Sequence, residues 1–290
     1  MKILVTGGAG FIGTNFLKYM LQKYPNYEFV CLDNLSVEES KNNIKCFEGY
    51  ENLKFIKEDI TNVKFINKLF EEEHFNMVVN FAAEVAVDYS ILNPNIFINT
   101  NILGTAVLMN ACLKYNVKRY HQISTDEVYG DVDINSKIKY SEKSILKPSN
   151  PYAASKASAD LLVLSYFRTY CLNITISRST NNYGPHQSLR ALIPLTINNV
   201  LHNKLVPVFG KGDNVRDWIY VMDHVKAIDL ILHKGKIGEI YNISGKSKRN
   251  NLFVVKKIKY QIFDTFLFVV FIPIYSLFNS FIEIIISGPI

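Results

Sequence analysis

Residues 6–13 read Thr-Gly-Gly-Ala-Gly-Phe-Ile-Gly, and they break the apolar run Ile3-Leu4-Val5 just before an amphipathic stretch begins. Few segments confine a chain so tightly. Gly7 permits a tight turn, Gly10 lets backbone approach a bound phosphate, and Gly13 lets a helix pack on the preceding strand. The start of that helix then offers unpaired amide donors to an anion. Alone, such a turn is equally an ordinary strand-to-helix connection. Asp33 narrows the choice, because it ends a second apolar run 20 residues beyond Gly13. A carboxylate there accepts hydrogen bonds from a ribose 2′-hydroxyl and repels a 2′-phosphate, which predicts NAD rather than NADP. Asp59 and Ile60 follow a third run, either where an adenine edge would be met or as a plain turn.

The same alternation continues. Short, β-branched runs at 3–6, 28–33, 53–57, 77–81, 120–124 and 174–179 read as strands buried on both faces. Amphipathic stretches at 11–23, 63–73, 96–115 and 152–170 read as helices between them. Strand–helix alternation predicts an α/β fold with a Rossmann-type, doubly wound parallel sheet. From Pro185 the pieces shorten, with turn signals at 210–213 and 235–238, and predict a small C-terminal substrate lobe. The expected division is a dinucleotide-binding domain at 1–184, a lobe at 185–257 and an apolar tail at 258–290.

Composition bounds the function. Of 290 residues 48% are hydrophobic and 20% charged, ample for a core and incompatible with global disorder. The 32 basic and 26 acidic residues leave a net charge of +6 without a block of like charge, so no nucleic-acid partner is expected. Cys31, Cys46, Cys112 and Cys171 are far apart and form no Cys-x-x-Cys pair, which suits reduced thiols in a cytoplasmic protein and predicts no metal site. The run at 3–6 is too short for a secretory leader. Residues 265–282 carry no charge and just reach membrane-spanning length, but Pro273 interrupts them and Asp264 and Glu283 flank them without basic anchors. An aberrant, truncated or buried terminus is expected ahead of a membrane anchor.

Two clusters carry chemistry. Tyr152 and Lys156 stand four apart at the start of a predicted helix and so share a face. A lysine beside a phenol lowers its pKa and holds the nicotinamide ribose, so the phenolate can take a proton from a sugar hydroxyl as hydride leaves. Thr125-Asp126-Glu127 follows a predicted strand, where ligands bind in open α/β sheets. A simple dehydrogenase needs only the tyrosine. An adjoining acid and base suggest a second chemistry: proton abstraction beside a carbonyl with loss of water. A solvated acidic turn is the plainer alternative.

The segments TGGAGFIG (6–13), FAAE (81–84), NTNILGT (99–105), STDEVYGD (124–131), NPYAASKASAD (150–160), NNYGP (181–185), RDWIYVMDH (216–224) and YNISG (241–245) fall in the order seen in nucleotide-sugar 4,6-dehydratases. The chain thus resembles that branch of the extended short-chain dehydrogenase/reductases from Met1 to about Lys257. The resemblance implies a homodimeric lyase with NAD as a returning oxidant, acting on dTDP-glucose, with UDP-glucose the competitor. It implies that Tyr152 deprotonates the sugar 4-hydroxyl, Glu127 removes the C5 proton, Asp126 protonates the departing 6-hydroxyl, Thr125 holds the 4-oxygen region and Lys156 positions ribose and tyrosine.

By the same resemblance Phe11, Ile12, Asp33, Asp59, Ile60, Ala82, Ala83, Thr100 and Asn182 line the NAD cleft with the three glycines. Asn181, Leu192, Pro207, Val208, Phe209, Arg216 and Asn251 would hold the diphosphate and base. Arg216 suits a diphosphate but could instead pair with Asp217 or Asp223, and Phe209 could stack on a base or fill a core. His186 and His224 read as structural. The chain departs from the family at Val85, where a hydroxyl is usual, at 187–191, and beyond Tyr260, where the family carries basic residues. An NAD-binding protein without turnover and a membrane-tethered dehydratase therefore stand as alternatives.

Overall fold

The structure is a computed structural model that describes residues 1–131, 139–208 and 210–268, with side chains to Ile262. In chain order the elements are β1 (Lys2–Thr6), α1 (Phe11–Lys23), β2 (Glu28–Asp33), α2 (Glu38–Asn43), β3 (Leu53–Lys57), α3 (Val63–Glu73), β4 (Met77–Asn80), α4 (Val87–Leu92) and α5 (Pro94–Phe97). A wide π-helical stretch, Ile98–Gly104, leads into α6 (Thr105–Lys114). Then come β5 (Arg119–Thr125), a 3-10 turn at Asp126–Tyr129, α7 (Pro151–Tyr170) and β6 (Ile174–Ser179). The chain continues with β7 (Asn181–Tyr183), α8 (Leu192–Leu201), β8 (Val215–Tyr220), α9 (Val221–Lys234), β9 (Ile240–Ile243), β10 (Lys248–Asn250) and α10 (Asn251–Phe268).

The main sheet runs β3-β2-β1-β4-β5-β6-β9, and every pair in it is parallel. The order reverses at β1, the switch point of the doubly wound α/β fold expected from the alternation. Its apolar strands earn that place by burial on both faces: Ile3, Leu4, Val5, Val78, Val79, Ile174 and Ile176 are all fully inaccessible. Helices α3, α6 and α7 cover the sheet through Ile66, Phe70, Leu108, Cys112 and Val163.

Contacts divide the chain into two compact units, Met1–Ser179 with Met222–Ile243, and Thr180–Val221 with the described residues from Ser244 onward. The expected contiguous lobe at 185–257 therefore does not match the grouping, because β9 pairs in register with β6 and returns 222–243 to the main sheet. The second unit is a sheet of β10-β8-β7 with α8 and α10 packed together. Val254, Ile258 and Ile262 recur at four-residue spacing and are buried in its core with Tyr183, Ile193, Ile197 and Trp218. Residues 258–262 are thus core rather than tail; residues 269–290, with most of the apolar run at 265–282, lie outside the described residues.

Candidate active site

The glycines explain themselves by what a side chain would meet. Gly7 sits at φ +65°, and a Cβ there would fall 2.5 Å from the Ala82 amide nitrogen. A Cβ on Gly13 would fall 2.3 Å from the Gly7 carbonyl oxygen. Gly10 differs, since its Cβ would meet only Gly7 O at 3.2 Å, which leaves a bare backbone surface at the start of α1. No side chain caps that helix, and Phe11 and Ile12 are half-buried in its first turn. An uncapped 13-residue helix behind a bare glycine fits a pyrophosphate.

Asp33 ends β2 beside it. Its carboxylate accepts from Ala9 N at 3.1 Å and Leu35 N at 2.9 Å. Burial raises its pKa, and backbone donors from Leu35, Ala9 and Gly10 oppose that. Asp59 accepts from Thr61 at N and Oγ and from Asn34 Nδ2. Burial pushes its pKa up, but these bonds outweigh it and the net shift is down. Ala82, Ala83 and Thr100 are half-buried in this unit. Ile60 instead is 3% exposed, and its Cδ1 would lie 2.4 Å from a Cβ on Gly104. Its side chain is core, filling the space that Gly104 leaves.

The expected 96–115 helix forms as one continuous helix over Pro94–Lys114, widened into π-helical turns at Ile98–Gly104. Asn101 in that stretch accepts from Glu84 N at 2.8 Å and donates to Glu84 O at 3.0 Å and Ser155 Oγ at 2.8 Å. It thereby fastens the loop after β4 to α7. Burial, with Asp59 nearby, raises the Glu84 pKa. Asn101 lies within the NTNILGT segment, whose spacing alone does not single it out from its neighbours.

At the C-terminal end of β5, Thr125 Oγ1 accepts from Glu127 N at 3.3 Å and lies 3.5 Å from Asp126 Oδ1. Asn150 caps α7 by accepting from Ala153 N at 2.8 Å and reaches Glu127 Oε2 at 3.4 Å. Pro151 opens that helix, so its first turn is pre-set and Tyr152 is aimed at the strand end. Tyr152 is buried, with the Thr125 side chain near enough to its phenol to favour the ionised form. Lys156, 5% exposed, donates from Nζ to Ile123 O at 2.6 Å.

The electrostatics differ from the sequence expectation. The phenol's pKa is raised, first by burial and then by Glu127, with Asp126 and Asp160 adding to it. The lysine bonds a carbonyl and cannot by its presence alone offset those carboxylates. Burial in turn lowers Lys156 to about 8, with Asp160 pulling it back up.

The second unit holds the remaining predicted residues. Asn181 and Asn182 lie on β7, where Asn182 Nδ2 donates to Thr180 O at 3.0 Å. Leu192 packs into that unit's core rather than standing free. Pro207 is exposed and Val208 half-buried, and Phe209 lies outside the described residues. Arg216 is exposed and donates to Val215 O at 3.0 Å, while Asp217 is taken by Ser244 Oγ and Ser247 N. Asn251 Oδ1 is buried without a hydrogen-bond partner among the described residues. His224, buried in the first unit, has a pKa lowered to about 3 and is neutral.

A tyrosine, a lysine, a threonine and two carboxylates thus converge at one strand end, beside a turn shaped for a pyrophosphate. Known proteins resemble this chain over most of its length. The dTDP-glucose 4,6-dehydratase of Mycobacterium tuberculosis H37Rv is 41% identical over 256 residues, spanning 88% of this chain and 76% of that one. The crystal structure of dTDP-glucose 4,6-dehydratase from Bacillus anthracis in complex with NAD superposes with a TM-score of 0.84 at 42% identity, covering 90% of this chain and 81% of that one. The Streptomyces venezuelae dTDP-glucose 4,6-dehydratase, also with NAD, gives 0.84 at 38% identity over 90% and 81%. With the family model described as GDP-mannose 4,6 dehydratase matching residues 4–265, past the Lys257 limit that its motifs alone suggest, the chain belongs to that family of nucleotide-sugar dehydratases.

Proposed function

We propose that this protein is an NAD-dependent hydro-lyase that converts dTDP-glucose to the 4-keto-6-deoxy sugar and water. The observation that carries this is the placement of Asp126 and Glu127 beside the buried Tyr152 hydroxyl and Thr125. An enzyme that only oxidised or inverted C4 would need the tyrosine without the paired carboxylates.

Gly7, Gly10, Gly13 and the start of α1 would hold the NAD pyrophosphate, and Asp33 its adenosine ribose. When bound, NAD supplies an oxidised nicotinamide that takes a hydride from the sugar and later returns it, and its positive charge favours the Tyr152 phenolate. Tyr152 accepts the proton of the 4-hydroxyl, and Thr125, which acts on the same phenol, steadies the 4-oxygen. The resulting ketone acidifies the neighbouring C5–H bond. Glu127 takes that proton, and Asp126 in its acid form protonates the 6-oxygen, which leaves as water. Glu127 then returns its proton to C5 as C6 is reduced, and the proton gained by Tyr152 replaces through solvent the one lost by Asp126. In the second unit, Arg216 offers a guanidinium to a diphosphate and Asn251 an unpaired carbonyl oxygen to a donor on the base.

Several features support the surroundings of this reading. The four cysteines are free, as in a reducing cytoplasm. Ile98, Leu103, Leu161 and Tyr170 are exposed on the Ile98–Gly104 turn and α7, and a homodimer would cover them. UDP-glucose remains the competing donor, since one pyrimidine methyl is worth only about 1–3 kcal/mol. Substrate carrying deuterium at C4 tests the chemistry. Label recovered at C6 of the product is expected; label retained at C4 of a sugar that keeps its 6-hydroxyl would contradict dehydration.

A further inference from the structure

α7 carries a third polar residue on the face that presents Tyr152 and Lys156. Asp160 follows Lys156 by four residues, as Lys156 follows Tyr152, so the three form one stripe. All are buried, at 8%, 5% and 0% exposure. Asp160 Oδ2 accepts from Arg178 Nε of β6 at 2.8 Å, and Arg178 itself is 2% exposed. Arg178 Nη1 donates to the Tyr129 hydroxyl at 2.9 Å, and that hydroxyl donates to Asn242 Oδ1 at 2.7 Å. The guanidinium also lies over the Tyr129 ring, 5.0 Å from its centroid. Asp160 Oδ1 and Ser124 Oγ are buried and make no hydrogen bond of normal geometry among the described residues.

We propose that Asp160, clamped by Arg178, is a positioning residue for proton transfer at Tyr152, the buried counter-charge on the stripe that carries Lys156. This rests on the catalytic reading of Tyr152 and Lys156 given above. Two cations, Lys156 and Arg178, share an interior from which water is excluded, and an uncompensated buried charge sheds its proton rather than remain charged. Arginine does not deprotonate, so the lysine would yield. With the Asp160 carboxylate present, the trio carries one excess positive charge, which matches one phenolate on Tyr152. Without it, Lys156 goes neutral and the phenolate loses its partner.

The other groups bearing on this stripe are few. Tyr120 of β5 interacts with Asp160, and Asp126 and Glu127 face Tyr152 from the turn after β5. Asp160 raises the pKa of Lys156, opposing the depression caused by burial. It also raises that of Tyr152 directly, so its support for the phenolate acts through the lysine.

The pH profile of kcat for dTDP-glucose turnover reads this out, because its basic limb follows loss of the Lys156 proton. Unaltered protein is assayed first; turnover there establishes the catalytic reading independently of Asp160. In Asp160→Asn the basic limb is expected to move at least about one pH unit toward acid, and Asp160→Glu to bring it back. In Arg178→Gln, which removes the clamp that holds buried Asp160 ionised, the limb is expected to move toward acid as well. Should Asp160→Asn not fold, the direction in Arg178→Gln decides alone. Limbs that stay put while activity falls uniformly, or that move toward base in either variant, would overturn the proposal and leave the pair merely structural.

Discussion

At the residue scale, Glu127 and Tyr152 separate cleanly in what their loss should do. Glu127→Gln cannot take the C5 proton, so turnover is expected to fall about 10²- to 10⁴-fold while the first oxidation survives. A single-turnover mixture should then accumulate the absorbance of reduced nicotinamide. Tyr152→Phe should abolish that signal too, and equal signals from both variants would refute the division of labour. Gly13→Ala places a methyl 2.3 Å from the Gly7 carbonyl oxygen, a backbone atom that cannot yield cheaply. A loss of about 1–3 kcal/mol and of co-purifying NAD is expected, measured by denaturant titration and released nucleotide. Most of these residues were readable because their chemistry depends on local spacing. The direction of the Tyr152 shift was not, because burial and three carboxylates from two segments set it. Nor was Asp160, whose partner Arg178 lies 18 residues along the chain on β6.

At the scale of elements, strands β1 to β6 were legible as short, β-branched runs, and helices α1, α3 and α7 as amphipathic stretches. The helix expected over 96–115 forms, but its π-helical widening at Ile98–Gly104 was not legible. Its composition is uniformly helical, and the widening coincides with tertiary partners: Asn101 bonded to Glu84 and Ser155, and Gly104 against Ile60. α10 escaped notice for a different reason. Its apolar residues merge with the run that follows, so the four-residue spacing of Val254, Ile258 and Ile262 is masked. Ile258 is fully buried, and Ile258→Ala should cost about 2–5 kcal/mol, seen as a lower urea midpoint for the second unit. An unchanged midpoint would mean that α10 does not anchor that unit's core.

For the molecule as a whole, two buried histidines set a response to acid. His121, between Thr175 Oγ1 at 2.8 Å and Ser177 Oγ at 3.0 Å, and His224 have pKa values lowered by burial from 6.5 to about 3. The folded state keeps both neutral while the unfolded chain protonates them. Stability is therefore full above about 6.5 and declines as pH falls toward 3, by up to about 1.4 kcal/mol per pH unit per group. Asp33, Glu84 and Asp160, with raised pKa values, act in the opposite sense, so the histidine contribution is read by difference. Urea midpoints between about pH 7 and 5 should fall less steeply in His121→Gln than in the unaltered protein, and identical slopes would contradict the assignment. The central claim is dehydration at C5–C6 of a nucleotide glucose, and turnover tests it most directly. Purified protein with NAD⁺ is given dTDP-glucose and UDP-glucose separately, and the product is scored as the 4-keto-6-deoxy sugar. Formation of that product, faster from dTDP-glucose, is predicted. NAD binding with no product from either donor would contradict the account.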